Sequence, residues 1–247
     1  MTSRVLLGML TPSSNTVLEP VTSAMLAGLP EVSAHFSRFP VTEISLRPSA
    51  LDQFTEAPFL GAARLLADAR MGVIGWNGTS AGWLGFDADI RLCDLVRAET
   101  GIPACTSMLA LNEILETTGR KRIALVTPYL HEIQETMIAN YRSAGFDVAS
   151  EAHLNDRGNF SFSEVTEARI AEMCREVAAA RPEAIAIICT NMRGAPIAEA
   201  MEAELGIPVY DTVSTVVWKA LRITGVDTRR VRGWGSLFQE LHGQDGG

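Results

Sequence analysis

Thiols and imidazoles are scarce in this chain, with four cysteines and four histidines among 247 residues. Cys93, Cys105, Cys174 and Cys189 form no Cys-x-x-Cys pair, and no histidine stands at a spacing that would complete a zinc site. The expectation is therefore no metal, and reduced thiols in a cytoplasmic protein. No apolar run reaches the length of a membrane span, and a strand-like run begins at Val5, too early for a secretory leader. Basic residues are outnumbered by acidic ones, 21 against 29, for a net charge of −8. That balance argues against nucleic acid or an anionic membrane as partner, while leaving room for a small anion held by local amides. A Gly-x-Gly-x-x-Gly turn is missing after the first strand, and no other segment anchors a cofactor, so none is expected.

What is present is an ordinary globular composition, 47% hydrophobic and 20% charged. Short β-branched runs alternate with amphipathic stretches. Strands are expected at Val5 to Leu10, Val32 to Phe39, Met71 to Trp76 and Ala104-Cys105, then again at Arg122 to Thr127, Phe146 to Ala149, Ile185 to Ile188 and Ile207 to Tyr210. Helices are expected between them: Val17 to Ala27 capped by the hydroxyls of the preceding turn, a helix opened at Pro48 and running from about Phe54 to Arg70, and others from Ala88, Ser107, His131, Ser163, Ala195 and Thr212. Gly101-Ile-Pro103 and Gly206-Ile-Pro208 occupy matching places in the two series. The repeat predicts an α/β fold of two similar lobes with mostly parallel sheets. The first lobe would span 1–110 plus 215–247 and the second 111–214, with the tail, anchored by Trp234 and Phe238, packing back on the first lobe before it frays.

Cys189 ends the most apolar of these strands, where the chain leaves the sheet and where α/β proteins bind ligands. Three other polar loops fall at strand ends: Pro12 to Thr16, Gly78 to Gly82, and Pro128-Tyr129. If the lobes face each other, the four loops converge on one cleft. It would hold the hydroxyls of Ser14, Thr79, Ser80 and Tyr129, the side-chain amides of Asn15, Asn77 and Asn191, the Cys189 thiol and the Arg193 guanidinium. Such a set suits binding and polarising a carboxylate while the thiol moves a proton. A competing pattern is Gly78-Thr-Ser80-Ala-Gly82, which matches the Gly-x-Ser-x-Gly nucleophile elbow, with Asp211 and His242 in triad order. The run Trp-Leu-Gly-Phe-Asp after Gly82 is a poor helix start, and no glycine cluster precedes the motif, so the triad is set aside.

Pro12-Ser-Ser-Asn15-Thr16, Gly78-Thr-Ser80, Thr127-Pro-Tyr129 and Cys189-Thr-Asn-Met-Arg193 before Gly206-Ile-Pro208 together resemble the cofactor-independent Asp/Glu racemase superfamily, in its arylmalonate decarboxylase and maleate cis-trans isomerase branch. The resemblance implies two pseudo-symmetric Rossmann-like lobes with the active site in the cleft between them. It also implies catalytic roles for Cys189, Tyr129, Thr79 and Ser80, with Ser14, Asn15, Asn77, Gly78, Thr190, Asn191 and Arg193 around the substrate. Racemases and isomerases of this group carry one cysteine per lobe. Cys189 matches the second, whereas the place of the first is Gly78, as in the decarboxylases. The implied activity is decarboxylation of an α-substituted malonate through an enediolate held in a dioxyanion hole and protonated by Cys189. The alternatives are isomerisation or racemisation of a small dicarboxylate, and a non-catalytic ligand-binding protein. The expected partner is a small dicarboxylate or malonate-type substrate, and the chain is expected as a monomer or small homo-oligomer.

Overall fold

The computed structural model describes residues 4–44, 46–47 and 55–241, so the expected helix opening from Pro48 to Phe54 lies outside it, as do residues 242–247, on which the expected fraying falls. Eight strands among the described residues form two four-stranded sheets in which every neighbouring pair is parallel. The first contains β1 (Val5–Pro12), β2 (Val32–Phe39), β3 (Val73–Trp76) and β4 (Ala104–Thr106) in the order β2-β1-β3-β4. The second repeats it as β6-β5-β7-β8, from β5 (Arg122–Thr127), β6 (Asp147–His153), β7 (Ala184–Ile187) and β8 (Val209–Asp211). This is the two-lobed α/β fold expected from the repeated strand and helix pattern. Helices cover both faces of each sheet, which is why β7 can read Ala-Ile-Ala-Ile and be buried at every position.

The helices are α1 (Leu18–Leu26), α2 (Glu56–Asp68), α3 (Ala81–Leu84), α4 (Asp87–Thr100), α5 (Ser107–Thr117), α6 (His131–Ser143), α7 (Glu167–Ala178), α8 (Ala198–Leu205), α9 (Thr212–Ile223) and α10 (Leu237–Glu240). Three local differences from the sequence pattern have clear causes. The strand expected to end at Ala149 continues to His153, because β6 is an edge strand whose partly exposed residues carry no unbroken apolar run. The helix expected from Ser163 starts at Glu167, where Thr166 Oγ1 accepts from the Arg169 amide at 3.2 Å, and a short 3₁₀ turn precedes it. The cap of α1 is the Asn15 carboxamide, which accepts from the Val17 and Leu18 amides at 3.0 and 2.9 Å, and not a hydroxyl.

The two lobes are joined by α5 and α9, which pack against each other, and the expected lobe limits at 110 and 214 fall inside this pair. Each starts directly at a strand end with an oxygen cap: Thr106 accepts from the Leu109 amide, and Asp211 from the Val213 amide. α9 leaves the second sheet and lies across the first, where Val216 packs over Gly75 of β3. The tail bridges both lobes, a correction to its expected place on the first alone. Arg230 pairs with Glu31 at the start of β2, while Glu240 meets Arg120 and Tyr210, and the Ser236 amide donates to Glu202 at 2.6 Å.

Candidate active site

Parallel strands in both lobes bring their carboxyl ends to one small cavity of about 20 Å³. Gly78 and Thr79 after β3, Tyr129 after β5, and Cys189, Thr190 and Asn191 after β7 line it, with Pro12, Val41, Ile44, Trp76, Trp83, Asn159 and Phe162. That volume holds about one water, so a substrate must push walls apart to enter. Cys189 is 3% exposed, and burial pushes its thiol up to about 12, against the opposing pull of the Asn191 amide and the Tyr129 hydroxyl. The Asn191 N–H donates to Cys189 Sγ at 3.4 Å. Cys189 is thus a neutral thiol with two donors ready to hold it once it has given up its proton.

Tyr129 joins the lobes. Its hydroxyl and Thr79 Oγ1 lie 2.5 Å apart, and its ring meets Trp83 and Phe162 edge-on at 5.2 and 5.7 Å. Burial, and then the neighbouring Cys189, hold the phenol well above its usual range, so it stays a hydrogen-bond donor. Thr79 and Tyr129 therefore present two neutral hydroxyls beside the thiol, both buried.

The asparagines and Thr190 fasten the lobes to one another. Asn15 Nδ2 donates to Thr190 O and Oγ1 at 3.0 and 3.2 Å, and Thr190 Oγ1 donates to Asn77 O at 3.0 Å. Asn191 Oδ1 accepts from the Thr16 amide, and its Nδ2 donates to Asn159 O. The Asn77 side chain turns back into the sheet, donating to Leu10 O and Gly75 O. Ser14 Oγ donates to Val41 O at 2.8 Å, so it holds a wall of the cavity without lining it.

Ser80 and Arg193 lie elsewhere. Ser80 lines a separate cavity of about 620 Å³ with Trp76, Phe59, Asp89 and Leu92. Its backbone is right-handed helical, φ −58° and ψ −31°, without the strain of a nucleophile elbow, although α3 does start immediately after it, contrary to the sequence expectation. Arg193 lines a third cavity, of about 380 Å³, where it donates to Val165 O at 3.4 Å and approaches Glu167 at 3.8 Å. Its expected pairing with a substrate carboxylate has no geometry here.

Sequence reasoning missed six residues that line the cavity, Val41, Ile44, Trp76, Trp83, Asn159 and Phe162, and two of them bear most on its shape. Asn159 Nδ2 donates to Val41 O at 3.0 Å and closes the cavity between the lobes. Trp76 packs across Gly78, and a Cβ built on that glycine would stand 1.9 Å from Trp76 Cζ2. The spacing of Trp76 and Gly78 was a usable signal, because alternate residues of an extended segment point to the same face.

A family model described as arylmalonate decarboxylase matches residues 7–238. A maleate isomerase of Geobacillus stearothermophilus is 25% identical over 233 residues, covering 90% of this chain and 92% of its own. An arylmalonate decarboxylase of Bordetella bronchiseptica is 26% identical over 199 residues, covering 79% and 82%. Among solved structures, a Nocardia farcinica maleate cis-trans isomerase with a covalently bound succinylcysteine intermediate superposes with a TM-score of 0.88 at 24% identity, covering 97% of this chain and all of that one, a likeness of fold.

Proposed function

The chain belongs to the arylmalonate decarboxylase family, and from that membership we propose that it is a cofactor-independent enzyme removing one carboxyl group from an α-substituted malonate-type diacid. One observation carries the reading. Cys189 is the single cysteine lining the cavity, and at the matching loop of the first lobe stands Gly78, whose side-chain space an indole fills. The site thus offers one proton donor.

One substrate carboxylate accepts hydrogen bonds from Thr79 and Tyr129 and from the amides around Cys189 and Thr190. The other sits against Val41, Ile44, Trp76 and Phe162, where loss of solvation favours its departure. It leaves as CO2, and its bonding pair stays on the α carbon as an enediolate. Donors aimed at the enediolate strengthen as its charge develops, and each is worth about 3 kcal/mol. Cys189 transfers its S–H proton to the α carbon. The resulting thiolate accepts from the Asn191 amide until solvent returns a proton. The balance is one CO2 released and one proton consumed.

A second reading, cis-trans isomerisation of a small dicarboxylate, draws on the relatives named maleate isomerase. With glycine at 78, its second actor would have to be Tyr129 or water. Proton NMR in D2O, with phenylmalonate, methylmalonate, maleate and aspartate in separate tubes, tests the two. The expected result is a monoacid carrying one deuterium at the α carbon from a malonate, lost in Cys189→Ala. Fumarate from maleate, or deuterium entering aspartate without carbon loss, would sink the decarboxylase reading.

A further inference from the structure

Trp76 stands between two spaces of very different size. It lines the 20 Å³ cavity beside Cys189 and also the 620 Å³ cavity bounded by Phe59, Ser80, Asp89 and Leu92. Resting on the decarboxylase reading above, we propose that Trp76 is the specificity-determining wall of the site. It keeps the two spaces apart and confines the substrate to malonate-type diacids with a small α-substituent, and the larger cavity is the room a bulky substituent would need.

Three observations support the assignment. Trp76 is the last residue of β3 and is 2% exposed. Its indole packs in a three-ring cluster with Phe39, at a centroid distance of 5.2 Å, and Phe59, at 4.7 Å edge-on, which themselves touch at 4.5 Å. This wall is built into the sheet, unlike Val41 and Ile44, which lie outside regular secondary structure. Second, the indole covers Gly78 directly, so space on the first-lobe side is taken by ring carbon rather than left for a substituent. Third, the opposite exit is shut, since Asn159 bonds to Val41 O and Tyr129 to Thr79. On the far side of Trp76 lies a volume of about 620 Å³, large enough to take an aryl ring. The indole N–H has no hydrogen-bond partner among the described residues, so no polar tie adds to the packing that holds it.

The test measures binding apart from chemistry. Dissociation constants for methylmalonate and phenylmalonate are determined by titration calorimetry on Cys189→Ser protein, alone and combined with Trp76→Ala or Trp76→Phe. With Trp76 present, methylmalonate is expected to bind at least about tenfold more tightly than phenylmalonate, as a filled pocket discriminates by size. Trp76→Ala is expected to shift that ratio at least about tenfold toward phenylmalonate. Trp76→Phe keeps an aromatic core and is expected to shift it in the same direction by less, which carries the test if the alanine variant does not fold. Phenylmalonate binding as tightly as methylmalonate beside an intact Trp76 would overturn the inference, as would an unchanged ratio in a variant that melts cooperatively. If neither malonate binds while maleate does, the decarboxylase reading itself fails and takes this inference with it.

Discussion

Gly78 is the position at which this chain departs from a two-thiol pattern, and the structure gives that departure a measurable cost of reversal. A Cβ added there would lie 1.9 Å from Trp76 Cζ2, 2.3 Å from Cε2 and 2.6 Å from Cη2. Ordinary carbon contacts stand near 3.5 Å, so the indole would have to withdraw by roughly 1.5 Å. Phe39 and Phe59 block that retreat. Gly78→Ala is therefore expected to destabilise the protein by about 1–3 kcal/mol, the usual cost of overpacking. Trp76→Phe removes the benzo edge that makes the clash, at a cost of its own of about 1–3 kcal/mol for the lost packing. In that background Gly78→Ala should cost almost nothing, which is a coupling of at least about 1 kcal/mol in the double-mutant cycle. Urea unfolding of the four proteins measures it. Additivity of the two substitutions would refute the reasoning, because it would mean that the indole and the glycine do not share space.

Two further outcomes follow from the buried acids. With its thiol pushed up to about 12 by burial, Cys189 carries a thiolate fraction of only about 1 in 10⁴ at pH 8, so iodoacetamide is expected to alkylate it at least about 100-fold more slowly than free cysteine. Peptide mapping that finds rapid, stoichiometric alkylation of Cys189 would contradict its role as a neutral acid. Asp89 and Asp211 are both raised to about 7, Asp89 by burial against the pull of its Thr106 hydrogen bond, Asp211 by burial against the Val213, Ser214 and Ala195 amides. Each therefore binds more proton folded than unfolded between pH 4 and 7, and the stability it contributes is full at about pH 4 and falls as pH rises to about 7, by up to about 4 kcal/mol. Asp89→Asn removes one of these losses. Its stability relative to the parent, from melts across pH 4 to 8, should rise steadily over that window, and a pH-independent difference would refute the assignment.

The fold was legible because its pattern is coarse and repeated: apolar runs separated by helical stretches survive small errors at their ends. The misread boundaries sit where a polar side chain decides, as at the Thr166 cap, or where an edge strand lacks a buried face, as from Ser150 to His153. At the site, the expected residues that line the cavity, Gly78, Thr79, Tyr129, Cys189, Thr190 and Asn191, are those that leave a strand end. Position along the chain fixes where such residues lie. It does not fix where their neighbours' side chains turn. The Asn15 side chain serves the joint between lobes, that of Asn77 turns back into its own sheet, and Ser80 and Arg193 open onto other cavities, because one step along a turn reverses the direction of a side chain. Asn159 was missed for another reason: it follows β6 by six residues in a loop without a motif, and its place is set by bonds to Asn191 in its own lobe and to Val41 in the other.

Trp76 and Gly78 show how one physical constraint links these levels. In a chain leaving a strand, residues two apart share a face, so a large ring at 76 claims the space above 78. Glycine is the one residue that yields that space without displacing the ring. The missing first-lobe thiol is then more than a deletion of a functional group, since the volume it would occupy has been taken by carbon that also separates the Cys189 cavity from its larger neighbour. Installing a thiol at 78 alone would strain the core without freeing a second face of the substrate. A two-thiol site in this scaffold requires position 76 to shrink first, and that same change would join the two cavities. On the proposed reading, one side chain would therefore set both the number of proton carriers and the size of the substrate.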